Sequence, residues 1–279
     1  RFDFLGRKSL RGFSEALPVY RIVGASDLSS WRVRRARSMS RFVDRTTERA
    51  LLWRAAERVA ATRQTVLLMG EAGIGKSRLA HEFVQDLRTN GWLLLDAECS
   101  PNLQGAPFST LKRLVLSTLE AVAKDPDRLG DPRADLSTVH RLAIDAVLDL
   151  PISDPRWSEL EPYARGRAIS EASCTIVESV ARRKTAVLLI EDLHWVDRAS
   201  DNVIAAIASL QAPNLFVFLT SRANGMPEWI ARCHSEVIAM RPLDDESGLA
   251  MLADMLGASA TNADLKNRII SHTANVPLF

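Results

Sequence analysis

The chain predicts an α/β fold: a parallel sheet with helices on both faces, followed by the start of a helical subdomain. Three observations carry this reading. Apolar runs without polar alternation, at 65–69, 185–190 and 214–220, read as strands buried on both faces. Stretches of helical period stand between them, so the strands are joined by helical crossovers and run parallel. The turns that leave two of these strands carry unusual chemistry, one rich in glycine and the other opening on two carboxylates.

Residues 1–23 read as two extended pieces, Phe2/Phe4 and 19–23, around a turn-rich middle with Gly6, Gly12 and Pro18. Residues 24–40 read as a basic linker, densest from Arg32 to Arg37. A helix over 46–61 follows, with Leu51, Leu52, Ala55 and Val59 on one side. The strand 65–69 enters the glycine-rich turn. Leu79, Phe83 and Leu87 then recur at four-residue steps as one stripe of a helix. Gly91 breaks the chain ahead of a strand at 92–95, and helices near 107–124, 136–150 and 165–182 lead to the strand 185–190. A helix at 198–210, strands at 214–220 and 237–240, and helices at 244–256 and 262–273 complete the chain.

The glycine-rich turn is Gly70-Glu71-Ala72-Gly73-Ile74-Gly75-Lys76-Ser77, spaced G-x-x-x-x-G-K-S between a strand and a helix. A triphosphate needs several N–H donors converging on its oxygens, and only a tight loop of small residues lets backbone approach so closely. Gly70, Gly73 and Gly75 supply that freedom, and the helix starting near Lys76 adds its partial positive charge. Lys76 is placed to reach the β- and γ-phosphates and the Ser77 hydroxyl to ligate Mg²⁺, with Arg78 next in the candidate set.

The strand 185–190 ends in Glu191 and Asp192, at the sheet edge where open α/β folds bind ligands. One carboxylate can hold the metal and the other orient or deprotonate water. By position Glu191 takes the metal role and Asp192 the base, and the reverse remains open. His194 and Trp195 read as a packed structural pair. At the next strand end Thr220-Ser221-Arg222 sets a guanidinium at the same edge, where Arg222 can report on a γ-phosphate.

Composition excludes several classes. With 279 residues and 47% hydrophobic content this is an ordinary globular chain, and no run approaches the ~20 apolar residues of a membrane span. The first residues form no basic-then-apolar leader, and Cys99, Cys174 and Cys233 match no metal or redox spacing, so unpaired thiols in the cytoplasm are expected. The absence of an initiator Met implies a start inside a longer protein. Residues 1–49 hold 12 basic against 5 acidic residues, the remainder 24 against 29. Only Trp31 and Phe42 flank the basic run, too few aromatics for a stacking platform, so a solvated linker is expected rather than nucleic-acid binding.

The segments at 70–77 (GEAGIGKS), 188–197 (LLIEDLHWVD), 219–222 (LTSR) and 273–279 (TANVPLF), preceded by 41–49 (RFVDRTTER), resemble the signal-transduction ATPases of the STAND class. More narrowly they resemble the origin-recognition-like AAA ATPase module of bacterial regulators, over about residues 41–279. The resemblance implies a P-loop NTPase with a five-stranded core of the additional-strand, catalytic-glutamate type over 41–240 and a helical lid over 241–279. It also implies ATP or ADP with Mg²⁺ as a conformational switch, and a nucleotide-dependent homo-oligomer. Arg222 occupies the sensor position, Pro277 matches the lid proline near the base, and Val43 and Arg45 match the N-terminal motif over the adenine. Asp44 stands where that motif usually has glycine, and Ala274 and Asn275 where the lid usually has glycines.

Residues 10–22 (LRGFSEALPVYRI) resemble the last two strands of class III nucleotidyl cyclase domains. The resemblance implies an upstream adenylate/guanylate cyclase partner domain, a downstream effector or repeat domain, and no cyclase activity in this piece alone. The alternative is the ATPase module of a LuxR-type transcriptional regulator with a DNA-binding output.

Overall fold

A computed structural model describes residues 2–8, 17–22, 42–224, 226–233, 235–256, 268–269 and 271–277. The basic stretch 24–40, the turn-rich middle at 9–16 and most of the predicted helix 262–273 lie outside them. The chain divides into two compact units, residues 1–40 and 41–279.

In the first unit the two predicted extended pieces form an antiparallel pair. β1 (Phe2–Lys8) sets Phe2 opposite Ile22 and Lys8 opposite Leu17 of β2 (Leu17–Ile22), with the register shifting between Phe4 and Arg7. Gly6, at φ 92°, lies inside that irregularity.

The second unit is built on β3 (Gln64–Met69), β4 (Leu93–Glu98), β5 (Ala186–Glu191), β6 (Leu215–Ser221) and β7 (Glu236–Ala239). They form one sheet in the order β4-β5-β6-β3-β7, and every neighbouring pair is parallel. This is the expected five-stranded core. β6 stands between β3 and β5, so the glycine-rich turn and the acid pair leave the same edge two strands apart. β4 runs beyond its predicted end because its polar residues alternate: Asp96 accepts from the Ser117 hydroxyl at 2.8 Å, and its N–H donates to Ser117 Oγ at 2.9 Å.

The helices are α1 (Thr46–Glu57), α2 (Lys76–Thr89), α3 (Ser109–Ala123), α4 (Pro126–Leu129), α5 (Thr138–Val147), α6 (Pro155–Ser158), α7 (Pro162–Arg183), α8 (Arg198–Ala208), α9 (Trp229–Arg232) and α10 (Asp245–Leu256). Successive strand residues point to opposite faces, and the core splits accordingly. Val66, Leu68, Phe216 and Phe218 pack with Leu52 of α1 and Leu79, Phe83 and Leu87 of α2. Leu67, Leu188, Val217 and Leu219 pack with α3, α5, α7 and α8. On the first face Phe83 meets Phe218 edge-on, with centroids 5.8 Å apart. α4, α6 and α7 each begin on a proline, whose fixed φ suits a first helical residue. Among the described residues no helix is long and apolar enough to cross a membrane.

Candidate functional site

β3 ends at Met69 and α2 begins at Lys76, so residues 70–75 turn the chain at the sheet edge. The turn is latched to both neighbouring strands: Gly70 N–H donates to the Ser221 carbonyl at 3.3 Å, and Met240 N–H to that of Met69 at 2.7 Å. A Cβ at Gly70 would lie 3.0 Å from Ile74 Cγ2 and 3.2 Å from Met240 Cβ, so a side chain there would have to displace both neighbours. Gly73 and Gly75 take φ of 79° and 102°. Lys76, only 7% exposed, folds into its own loop and donates to the carbonyls of Gly70 and Glu71, each at 2.8 Å. Burial lowers its pKa and Arg222 acts the same way, against the carboxylates of Asp192 and Glu71. Glu71 and Ala72 are exposed, while Ser77 and Arg78 are half-buried. Arg78 pairs with Glu82 at 2.9 Å and lies over the Phe42 ring.

Glu191 closes β5, in register with Glu98 on β4. Burial, opposed by a hydrogen bond with the Ser77 side chain and reinforced by Glu98, Asp192 and Asp96, pushes the Glu191 carboxyl up to about 7. The two residues assigned to Mg²⁺ from sequence therefore meet. Among the described residues no three acidic, His or Cys groups are arranged to hold a metal, but the Glu191 carboxylate with the Ser77 hydroxyl is a donor pair that suits a hard divalent cation, which would reverse that upward push. Asp192 follows in the left-handed region, φ 55° and ψ 43°, and its N–H donates to Thr220 Oγ1 at 3.0 Å. Arg222, exposed beyond β6, lies within electrostatic reach of Lys76.

The acid pair is anchored by a residue that sequence reasoning did not single out. Asp197, 1% exposed, caps α8 by accepting from Ser200 N–H at 2.9 Å. It also accepts from Phe108 N–H at 2.8 Å, Thr110 N–H at 3.1 Å and the Ser109 hydroxyl at 3.1 Å, all at the start of α3. One carboxylate thus serves two helix N-termini. Burial raises its pKa, but the bonds from Ser200, Thr110 and Phe108 outweigh that and hold the carboxyl below the usual range. The spacing Asp197-x-x-Ser200 before a helix was the legible signal. The second helix was not legible. The His194 ring lies 5.1 Å from that of Trp195, centroid to centroid.

Arg45 ties the glycine-rich loop to Arg241, and residues 243–245 bond to Asn275. Asp44 and Arg45 are left-handed in succession, at φ 61° and 72°, so Asp44 adopts the conformation that glycine usually supplies there. Val43 is half-buried. Arg45 is 5% exposed and donates to the carbonyls of Ile74 at 3.0 Å and Arg241 at 2.7 Å, and to Glu48 at 3.1 Å. Its guanidinium is thereby engaged on protein backbone. Leu243 N–H donates to the Asn275 carbonyl at 3.2 Å, and Asn275 Nδ2 to Asp245 at 2.7 Å. Ala274 and Asn275 are again left-handed, at φ 47° and 57°, where the resemblance expects glycines. Pro277 lines a cavity of about 110 Å³ with Leu243, Met251, Leu252 and Val276, apart from the phosphate-loop residues.

Residues 41–218 match the family described as AAA ATPase domain. An uncharacterized protein of Rhizobium meliloti (strain 1021) is 31% identical over 265 residues, 90% of this chain. The chain spans about a quarter (25%) of that relative's length. Among solved structures, the ORC1 protein of Aeropyrum pernix in complex with DNA is similar at TM-score 0.51 and 13% identity, over 85% of this chain and 56% of that one. That likeness concerns the fold. A STAND protein with a tetratricopeptide repeat sensor from Pyrococcus horikoshii gives TM-score 0.49 and 14% identity, over 85% and 28% of the two chains.

Proposed function

The chain belongs to the AAA ATPase domain family through residues 41–218, and from that premise we propose that it binds ATP with Mg²⁺ and hydrolyses it slowly as the switch of a larger signalling protein. The observation that carries this reading is the meeting of Ser77 with Glu191 across the end of β6. It joins a phosphate cradle to the acids that hydrolysis needs.

Ser77 and Glu191 would hold the Mg²⁺, which when bound supplies charge neutralisation at the phosphates. Lys76 exchanges the carbonyls of Gly70 and Glu71 for β- and γ-phosphate oxygens, so its ammonium is pre-aimed. The loop N–H groups and the N-terminus of α2 bind the remaining oxygens. Asp192, held at a fixed corner by Thr220, accepts the proton of the attacking water. Arg222 faces the γ-phosphate and distinguishes ATP from ADP. Val43 and Pro277 contribute to the base end. Arg45, tied to Ile74 and Arg241, transmits the loaded state toward the lid.

The antiparallel pairing of β1 and β2 supports the reading of residues 1–23 as the end of a cyclase domain. The much greater length of the Rhizobium relative supports a module joined to further domains. On this reading the parent protein is a cyclase–ATPase fusion.

The test is nucleotide titration and turnover. The parent should bind ATP and release phosphate, Lys76→Ala should lose ATP affinity, and Asp192→Asn should bind ATP without hydrolysing it. Unchanged affinity in the lysine variant sinks the phosphate-loop assignment. Parent-like turnover in the aspartate variant transfers the base role to Glu191.

A further inference from the structure

His194 is the side chain that the proposed mechanism leaves unused. Both of its ring nitrogens, Nδ1 and Nε2, are shielded from solvent with no hydrogen-bond partner among the described residues. Buried polar atoms rarely remain unpaired, and here donor and acceptor of one ring are unpaired together. Its surroundings are those of the reaction centre. The charges acting on the ring are Asp192, Arg222 and Lys76, the proposed base and the two proposed γ-phosphate cations, while burial favours the neutral imidazole. Those three groups are the ones assigned above to the terminal phosphate and the attacking water.

The backbone that carries the ring is fixed. Trp195 N–H donates to the Asp192 carbonyl at 2.8 Å and Val196 N–H to that of Leu193 at 3.0 Å, closing one turn. Leu193 is fully buried on one side of His194, and Asp197 clamps the segment on the other. Only side-chain rotation is free to bring a nitrogen to a ligand.

We propose that His194 reads the terminal phosphate: with ATP bound, its neutral ring turns and donates an N–H hydrogen bond to a γ-phosphate oxygen, and with ADP that donor is left over. The inference rests on the ATP reading above. His194 adds a directional contact without adding charge beside Lys76 and Arg222, so it discriminates by geometry where they act by charge. It is a second sensor, on a different strand end from Arg222.

Affinities for ADP and for a non-hydrolysable ATP analogue, both with Mg²⁺, are compared by calorimetry in the parent, His194→Phe and His194→Gln. Phe keeps a ring against Trp195 and removes the donor, while Gln loses the ring and keeps a donor. The analogue-to-ADP affinity ratio should fall about tenfold in His194→Phe and stay within about twofold of the parent in His194→Gln. The imidazole ¹⁵N signals of His194, assigned by their loss in the variants, should move with the analogue and not with ADP. A parent-like ratio in His194→Phe, or an equal loss for both nucleotides, overturns the proposal. A parent that binds neither nucleotide overturns the ATP reading, and this inference with it.

Discussion

The Arg45 guanidinium donates to the carbonyl of Ile74 at 3.0 Å, inside the glycine-rich loop, and at 2.7 Å to Arg241 beyond the last strand. One buried cation therefore fastens the glycine-rich loop to the chain beyond β7. The Ile74 contact is buried, whereas Arg241 is exposed.

Arg45→Ala should cost about 2–4 kcal/mol of stability, since it removes a buried charge-assisted donor and strands the buried carbonyl of Ile74. Urea unfolding measures the loss. Arg45→Lys should recover little, because an ammonium does not span two acceptors as a planar fork does. A lysine variant as stable as the parent would show that charge alone is needed.

Gly70→Ala should cost about 1–3 kcal/mol and weaken ATP binding at least about tenfold, because its methyl presses on Ile74 and Met240. The same change at Gly105, where a Cβ meets nothing within 4 Å, should be nearly neutral. Thermal melts and ATP titration of the two variants test the contrast.

Asp197→Asn should destabilise by about 1–3 kcal/mol at neutral pH, as one accepting oxygen becomes an amide donor facing N–H groups. The folded pKa of Asp197 lies below its unfolded value. The carboxylate's contribution is therefore fully present above about pH 3.9 and fades as pH falls through the folded value. The gap between parent and variant, read from urea unfolding, should shrink on acidification. A gap constant from pH 7 to pH 3 would contradict this.

Ala274→Gly should stabilise by up to about 1 kcal/mol, because alanine at φ 47° bears a steric cost that glycine lacks. Asp44→Gly should change little, since aspartate tolerates the left-handed region. Melting temperatures of the two variants separate these outcomes.

The glycine-rich loop between its strand and helix, the acids at the end of β5 and most strands were legible in the sequence because each is local: a buried run, then its chemistry, then a helical stripe. What was not legible lies far apart along the chain. The Arg45 guanidinium finds a carbonyl 196 residues away, and Asp197 reaches Thr110 across 87. Hydrophobic period cannot announce such partners. α4 and α6 were missed because four residues are too few to show a helical period. The lid motif looked deficient without glycines, yet Ala274 and Asn275 adopt the left-handed backbone all the same.

β6 has one further consequence. Neighbouring strands lie about 4.8 Å apart, so the strand between β3 and β5 sets roughly 10 Å between the roots of the two half-sites. The loop must arch over the tip of β6 for Ser77 to reach Glu191, and that tip ends in two small, fully buried hydroxyl residues, Thr220 and Ser221. They act as a gauge block beneath the arch. A larger side chain at Ser221 should lift the loop and open the gap, lowering the proposed turnover although no residue proposed to touch nucleotide has been substituted.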